Sequence, residues 1–276
     1  MKTSAISHAN DTTRLFLGVD MKQPEHIACV AGNVVALSRT CPGVDINDDC
    51  AAVIETESGD IVLVVADGMG GGPVGHKASL IAVESVARSV NEAATDSDLR
   101  PAILDGIESA NRHVLELGVG AATTLSVVEI RNGIARAYQV GDSMILMVGQ
   151  RGVEKWKSTS HSPVGYAIES GMLDEADAMH HENRHFVSNM VGSDDMHIEI
   201  GPARHLSRRD TVIVASDGLS DNLRLDEIVR WGRIGKPVER VSKLAAMSAE
   251  RMRDAYSGNV GEPGKPDDLT ILMFTF

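Results

Sequence analysis

The sequence predicts an α+β protein in which antiparallel sheets are covered by helices. Short β-prone runs occur towards both ends of the 276-residue chain, and helical patterns lie between them. Two helical patterns follow one of the strands and two precede the last. Strict alternation of strand and helix is absent, so the pattern does not favour a doubly wound parallel sheet.

The first half of the chain begins with residues 1–26, which are polar, mixed in charge and without clear periodicity. They predict a loosely ordered N-terminal arm. A β-prone run with a central glycine follows at 27–37. The apolar run at 61–66 is short enough to be a buried strand, and it ends abruptly in the sequence DGMGGGP. Apolar residues at helical spacing then predict helices over 77–90 and 99–117.

The second half returns to strands and then to helices. Turn signals, RNG and GDS, separate three consecutive strand patterns and indicate an antiparallel meander. No linker divides the chain, so residues 27–276 are expected to form one domain. The predicted elements are strands over 123–130, 134–140 and 144–148, an irregular segment over about 149–207, a strand over 212–215, helices over 225–231 and 238–255, and a final strand over 269–276.

Composition excludes several classes of function. The formal net charge of −13 argues against a nucleic-acid partner, because phosphate backbones require clustered Lys and Arg. No run approaches the roughly 20 apolar residues of a membrane helix, and the N-terminus lacks an apolar signal-peptide core. Three cysteines without a CxxC pair favour a reducing, cytoplasmic setting. Nothing in the sequence requires more than a monomer.

Acidic residues fall at the ends of several predicted strands. A group of carboxylates repels itself unless cations neutralise it, and oxygen ligands of this kind select Mg²⁺ or Mn²⁺. Two such ions can activate a water for displacement at phosphorus, which is hydrolysis of a phosphate ester. Taken singly, each Asp-Gly is more often a turn. The acids are Asp48 and Asp49 before the run AAVI, Asp67 after the run at 61–66, Asp142 in the GDS turn, Asp217 after the run at 212–215, and Asp267 and Asp268 before the last strand.

Six short segments carry a resemblance to a known family. In order they are Asn47-Asp48-Asp49, VVADGMGG (64–71), GAATTL (120–125), QVGDSMIL (139–146), ASDGLSD (215–221) and DDLTILM (267–273). Together they closely resemble the metal-dependent type 2C protein phosphatases, the PPM family, in its bacterial form. The resemblance covers nearly the whole chain from about Ile27.

The resemblance implies a central antiparallel β-sandwich flanked by helices on both faces, with a binuclear metal site at one end. Asp67 would bridge two Mn²⁺ or Mg²⁺ ions, and the carbonyl of Gly68 would complete one of them. Asp142 and Asp217 match positions that hold a third, weaker ion. The implied catalytic residues are Asp48, Asp49, Asp67, Asp217 and Asp267, and the implied metal ligands are Asp49, Asp67, Gly68, Asp142, Asp217 and Asp267.

Departures from the family pattern are informative. Many members carry a phosphate-binding arginine at the position of Val44, and Arg39 is the nearest basic residue upstream. We expect weaker phosphate binding or a different recognition mode, because a bidentate contact is lost. Met69 stands where animal members carry a histidine. A mobile flap beside the active site is expected at about 155–195.

The resemblance implies phosphoserine and phosphothreonine proteins as substrates, and a cognate Ser/Thr kinase as the opposing enzyme. Three alternatives stay open. The chain could be an inactive regulatory pseudophosphatase, since fold alone does not fix function. It could belong to the branch that acts on phosphorylated anti-sigma antagonists, whose DDLT ending it shares. It could also bind divalent ions without hydrolysing anything.

Overall fold

The computed structural model describes residues 6–10, 12–70, 73–95, 97–258 and 262–276. In this part of the chain, two antiparallel sheets pack face to face with helices on both outer faces, which confirms the predicted α+β sandwich. The strands are β1 (Ile6–Asn10), β2 (Thr13–Leu17), β3 (Glu25–Cys29), β4 (Gly32–Arg39), β5 (Asp49–Glu55), β6 (Ile61–Met69), β7 (Ala122–Thr123), β8 (Leu125–Arg131), β9 (Ile134–Val140), β10 (Met144–Val148), β11 (Glu154–Lys157), β12 (Glu199–Ile200), β13 (Arg204–His205), β14 (Thr211–Ala215) and β15 (Leu269–Thr275). The helices are α1 (Pro73–Glu92), α2 (Leu99–Glu116), α3 (Pro163–Glu169), α4 (Glu175–Ala178), α5 (Asp217–Ser220), α6 (Leu225–Trp231) and α7 (Pro237–Tyr256).

The order of the strands brings distant parts of the sequence together. The first sheet has the order β1-β2-β5-β6-β8-β9-β12, with β7 beside β6 and β13 beside β9. The second has the order β11-β10-β14-β15-β4-β3. The last strand therefore lies in the middle of the second sheet, between β14 and β4. Loops from the middle and the end of the chain consequently meet at the same end of the sandwich.

The continuous apolar run of β6 is explained by burial on both faces. Ile61, Leu63 and Val65 point into the space between the sheets, where they join side chains from the second sheet. The alternate residues Val62 and Val64 point outward and pack under α1 and α2. A half-exposed strand would show alternating polar residues, but this one is covered on both sides.

The helices complete the outer layers. In α2 the buried residues Ile103, Ile107, Ala110 and Val114 recur at helical spacing and cover the outer face of the first sheet. The α2 N-terminus is capped by Asp98, whose side chain accepts a hydrogen bond from the backbone of residue 100. Helices α5, α6 and α7 cover the second sheet. No helix in the described ranges is long and apolar enough to cross a membrane.

The prediction of a loosely ordered arm at residues 1–26 is wrong for β1 and β2, which belong to the first sheet. Strand β2 pairs with β5 in the first sheet, and the side chain of Phe16 is only 1% exposed. Strand β1 extends the sheet by pairing with β2. Residues 1–5 and 11 lie outside the described residues. The sequence TRLFL is too short to show a period, so its strand depends on pairing with a neighbour distant in sequence.

The segment at 149–207, predicted as irregular, contains short elements between longer loops. Helix α3 begins at Pro163 after Ser162, whose hydroxyl accepts a hydrogen bond from the Gly165 backbone N–H. This is the usual start of a helix. Strands β12 and β13 have two residues each and both pair with β9. The chain therefore returns to the first sheet just after the segment expected to form a flap.

Candidate functional site

Two carboxylates lie directly opposite each other on neighbouring strands. Asp49 begins β5, Asp67 lies near the end of β6, and the antiparallel register pairs these two residues. Side chains paired in this way have Cβ atoms about 5 Å apart, and like charges at that spacing are destabilising. The strand register thus places two acids where they require a cation or protons.

Asp49 is completely buried at the interface between the sheets. The Ser216 hydroxyl donates a hydrogen bond to its Oδ2 atom at 2.7 Å, and the Asn47 side chain accepts one from its backbone N–H. Its Oδ1 atom has no hydrogen-bond partner among the described residues. Burial, and then the negative charge of Asp268, raise the pKa of the Asp49 carboxyl well above its usual value.

The backbone of Asp67 is fixed by two threonines of the GAATTL segment. The Asp67 N–H donates to Thr124 Oγ1 at 3.0 Å, and the Thr123 hydroxyl donates to the Asp67 carbonyl at 2.7 Å. Burial raises the pKa of Asp67 well above its ordinary value, and the nearby charges of Asp49 and Asp217 raise it further. The electrostatic neighbours of Asp67 also include Asp267 and Asp142. Five of the predicted acids therefore influence one another at one end of the sandwich.

Asp48 lies beside this group, in the loop before β5, and its carbonyl accepts a hydrogen bond from Ser79 in the first turns of α1. Its pKa is raised by burial and by the charge of Asp268, and lowered by His76. The turn next to it is packed backbone to backbone, because a Cβ atom on Gly68 would lie 2.3 Å from the carbonyl oxygen of Gly75. Only glycine fits at position 68. Because it has no side chain, the backbone after Asp67 can lie against the first turn of α1.

The neighbouring residues Asp267 and Asp268 have different contacts: Asp268 binds backbone N–H groups, whereas Asp267 faces a lysine. The Asp268 carboxylate accepts hydrogen bonds from the backbone N–H groups of Cys41 and Asp48, each at 2.6 Å. It therefore fixes the loop that carries the first acidic motif. Asp267 instead faces Lys265, with 2.9 Å between its Oδ2 atom and the lysine Nζ atom. Burial, and then the charge of Asp217, raise the pKa of Asp267 to about 7.

Lys265 lies among the acids, although no sequence motif identified it as a site residue. Its Nζ atom is 2.5 Å from Asp217 Oδ2 and 3.1 Å from Asp221 Oδ2. Burial alone would lower the pKa of this amine, but the surrounding carboxylates outweigh burial and raise it far above its usual value. Burial and the charge of Asp217 raise the pKa of Asp221 to about 6. The only sequence signal for Lys265 and Asp221 is that they lie a few residues from the predicted ligands Asp267 and Asp217.

Asp142 occupies the turn between β9 and β10. Burial, followed by the charges of Asp217 and Asp221, raises its pKa to about 8. The preceding Gly141 has φ of +100°, and its N–H donates to Nδ1 of the buried His161 at 3.1 Å. The backbone N–H of His161 donates in turn to the Gly141 carbonyl at 3.1 Å. This histidine, which was not predicted as a site residue, fixes the turn.

The donor chemistry of the cluster fits a hard divalent cation. Unpartnered buried oxygens remain on Asp48, Asp49 and Asp217, and every available ligand is a carboxylate or carbonyl oxygen. Across the described residues, however, no three His, Cys, Asp or Glu side chains form a ready-made metal-binding group. Instead, the ammonium of Lys265 forms ion pairs with the carboxylates of Asp217 and Asp267.

The position expected to bind phosphate carries no positive charge. Val44 is 52% exposed on the loop before the first acidic motif. Arg39 is directed elsewhere, because its guanidinium donates to the carbonyls of Met21 and Lys22. From the flap, Arg184 donates to the Gly264 carbonyl at 3.2 Å, one residue before Lys265.

A cavity of about 260 Å³ lies between the flap and the cluster. Residues of helices α3, α4, α5 and α6 line it. Asp142 and Asp217 also line it, together with apolar side chains such as Met144 and Leu223. The flap predicted at about 155–195 therefore borders the acids.

Comparison with known proteins matches this arrangement. The family model described as "Protein phosphatase 2C" matches residues 44–254. Protein phosphatase PhpP of Streptococcus pneumoniae is 29% identical over 191 residues, which are 66% of this chain and 76% of that protein. A serine/threonine phosphatase of S. agalactiae superposes with a TM-score of 0.75 at 25% identity, over 88% of this chain and 98% of that one.

A further solved structure is similar in fold. The catalytic domain of the serine/threonine protein phosphatase PstP, determined in complex with two manganese ions, superposes with a TM-score of 0.68. Identity is 19%, and the match covers 88% of this chain and 96% of that one.

Proposed function

We propose that this chain, which belongs to the protein phosphatase 2C family, removes phosphate from phosphoserine and phosphothreonine in protein substrates. The observation that carries this proposal is the opposed pair Asp49 and Asp67, which shares one end of the sandwich with Asp217 and Asp267. A protein gains nothing in stability from such a group of acids alone, because burial and mutual repulsion both oppose their ionisation. Their convergence supports a catalytic role for divalent ions.

We propose that the ions are Mn²⁺ or Mg²⁺, two in number, with a third, weaker one near Asp142 and Asp217. Asp67 would hold both principal ions, the Gly68 carbonyl would hold one of them, and the remaining acids would complete their coordination directly or through water. When bound, the ions would supply a nucleophilic water at neutral pH and would neutralise the charge of the phosphoryl group. The remaining ligands in this proposal are Asp49, Asp217 and Asp267, with Asp48 acting through water.

The residues of the chain would contribute orientation and access. Thr123 and Thr124 fix the Asp67 backbone, so the main chain that carries its carboxylate is in place before substrate arrives. The cavity beside the flap would admit the phosphorylated side chain of a protein segment. Met69 has no titratable group, so the proton for the leaving hydroxyl must come from solvent or from another residue.

The biological setting is also part of the proposal. A single chain carries every acid of the cluster, which supports a monomer as the working unit. Cys29, Cys41 and Cys50 are all free, which supports a reducing cytoplasmic compartment. A Ser/Thr kinase would supply the phosphorylated substrates.

A regulatory module without catalysis is the second candidate, and two observations favour it. Val44 replaces the expected phosphate-binding arginine, and Lys265 already neutralises part of the cluster. A direct test separates the two candidates.

The test measures release of inorganic phosphate from a phosphothreonine peptide and a phosphotyrosine peptide of the same sequence. The assay is run with Mn²⁺, with Mg²⁺ and with chelator, for the wild type and for Asp67→Asn. We expect metal-dependent turnover of the phosphothreonine peptide that chelator and the substitution both abolish. Folded wild-type protein that binds Mn²⁺ but turns over neither peptide would replace the enzyme with the regulatory module.

A further inference from the structure

We propose that Lys265 is a resident cation of the metal centre. Its ammonium neutralises Asp217 and Asp267 in the metal-free protein, and a divalent ion must displace it in order to bind them. This inference rests on the proposed function, since it requires that these carboxylates bind metal. It adds a residue that controls how readily the protein takes up its ions.

The contacts of the lysine are those of a shared counter-ion. Its Nζ atom lies 2.5 Å from Asp217 Oδ2, 2.9 Å from Asp267 Oδ2 and 3.1 Å from Asp221 Oδ2. Asp217 still has a second buried oxygen, Oδ1, without a hydrogen-bond partner among the described residues. The ammonium thus neutralises part of this group of acids, while Asp217 keeps a buried oxygen that no hydrogen bond satisfies.

The backbone of this lysine is held in place by Asn222. The Asn222 side chain accepts a hydrogen bond from the Lys265 N–H at 2.9 Å and donates one to the Lys265 carbonyl at 2.9 Å. Asn222 is completely buried at the end of α5. The main chain at Lys265 is therefore fixed. Its side chain is a flexible four-carbon stem, so the ammonium can move without rearrangement of the fold.

Electrostatics makes the lysine and the ion competitors. A divalent ion that binds the Oδ2 atoms of Asp217 and Asp267 would have to occupy the place of the ammonium, and two cations within a few ångströms repel each other strongly where water is scarce. Metal binding is consequently an exchange of cations. The lysine lowers the affinity for metal and, in return, prevents repulsion among the acids when metal is scarce.

The first experiment is calorimetric titration of Mn²⁺ into the metal-free wild type and into Lys265→Met. We expect the variant to bind Mn²⁺ about tenfold more tightly or better, because no cation has to be displaced. Lys155→Met is the matched control, since Lys155 also pairs with a buried acid, Asp210, but outside the cluster. Its Mn²⁺ affinity should equal that of the wild type. An unchanged or weaker affinity in Lys265→Met would overturn the proposal.

The second experiment needs no variant of the site, and so remains decisive if Lys265→Met does not fold. Lysines of the wild type are acetylated with an N-hydroxysuccinimide ester in chelator and in Mn²⁺, and each site is quantified by mass spectrometry. We expect labelling of Lys265 to rise several-fold with Mn²⁺, while labelling of Lys155 stays constant. Labelling of Lys265 that stays the same or falls would contradict displacement.

The two proposals fail in different ways. A wild type that binds no Mn²⁺ overturns the proposed metal site and, with it, the role of Lys265. A wild type that binds Mn²⁺ and hydrolyses the phosphothreonine peptide, with Lys265→Met indistinguishable from it in affinity, overturns only the role of the lysine.

Discussion

Replacing Ser216 by alanine should destabilise the junction between the two sheets. The Ser216 hydroxyl donates to Asp49 Oδ2 at 2.7 Å and accepts from the Thr270 backbone N–H at 2.9 Å. All three residues are fully buried, so water cannot replace the lost bonds. Alanine would leave the Asp49 carboxyl and the Thr270 N–H without this partner.

The expected magnitude follows from these two bonds. A buried hydrogen bond contributes about 0.5–1.5 kcal/mol, or up to about 3 kcal/mol when its acceptor is ionised, and an unsatisfied buried N–H costs about 1–3 kcal/mol. The free energy of unfolding should therefore fall by about 3 kcal/mol. For a chain of this size that loss lowers the melting temperature by roughly 6–12 °C.

The assay is urea unfolding in the presence of chelator, so that metal binding does not add to the measured stability. Ser248→Ala is the matched control, because Ser248 is equally buried but its hydroxyl has no hydrogen-bond partner in the described structure. That variant should be neutral or slightly stabilised. A loss below about 0.5 kcal/mol in Ser216→Ala, or an equal loss in both variants, would refute the reasoning, since the bonds alone predict about 3 kcal/mol.

Two further predictions concern the neighbourhood of the same acids. Gly218→Ala should cost about 3 kcal/mol or more and reduce phosphate release, because its Cβ atom would lie 1.9 Å from the Asp268 carbonyl oxygen. Gly149→Ala, whose Cβ atom would find its nearest neighbour at 3.5 Å, should be tolerated, and equal unfolding curves for the two variants would contradict this. The raised pKa of Asp142, about 8, makes its contribution to metal-free stability largest below pH 4 and lost as the pH rises through 8. Because the amide of Asp142→Asn cannot ionise, the wild type should lose stability relative to this variant as the pH rises from 5 to 8 in urea unfolding with chelator, and a difference that stays constant over this range would exclude this coupling.

The elements that the sequence predicted well are those with a strong apolar pattern. Helices α1 and α2 begin and end within a few residues of the predicted bounds, apart from the start of α1. Strands β9 and β10 match the predicted ranges, since turn residues border both of them. Strand β2 was missed because its stability comes from pairing with β5, which no local pattern reveals.

The site was predicted in part. The sequence identified the acids because each follows or precedes a recognisable strand, and the structure brings Asp49, Asp67, Asp142, Asp217 and Asp267 into mutual electrostatic contact. Their assignment as metal ligands stays a prediction. The sequence did not reveal that the second acid of DDLT supports a loop, since a hydrogen bond to a distant backbone leaves no local signal.

Lys265 was missed for a different reason. It lies in a loop rich in glycine and proline, two residues before Asp267, where a basic residue is usually taken for a solvated charge. Its role depends on the packing of that loop against the end of α5, through Asn222. Only the folded chain brings its ammonium among the carboxylates.

The most direct test of the central claim is anomalous diffraction at the manganese edge from crystals of the wild type grown with Mn²⁺. We predict anomalous peaks in direct contact with the Asp67 carboxylate, with the ammonium of Lys265 moved away from Asp217 and Asp267. Anomalous peaks only elsewhere in the molecule, with Lys265 still between these two acids, would contradict the account.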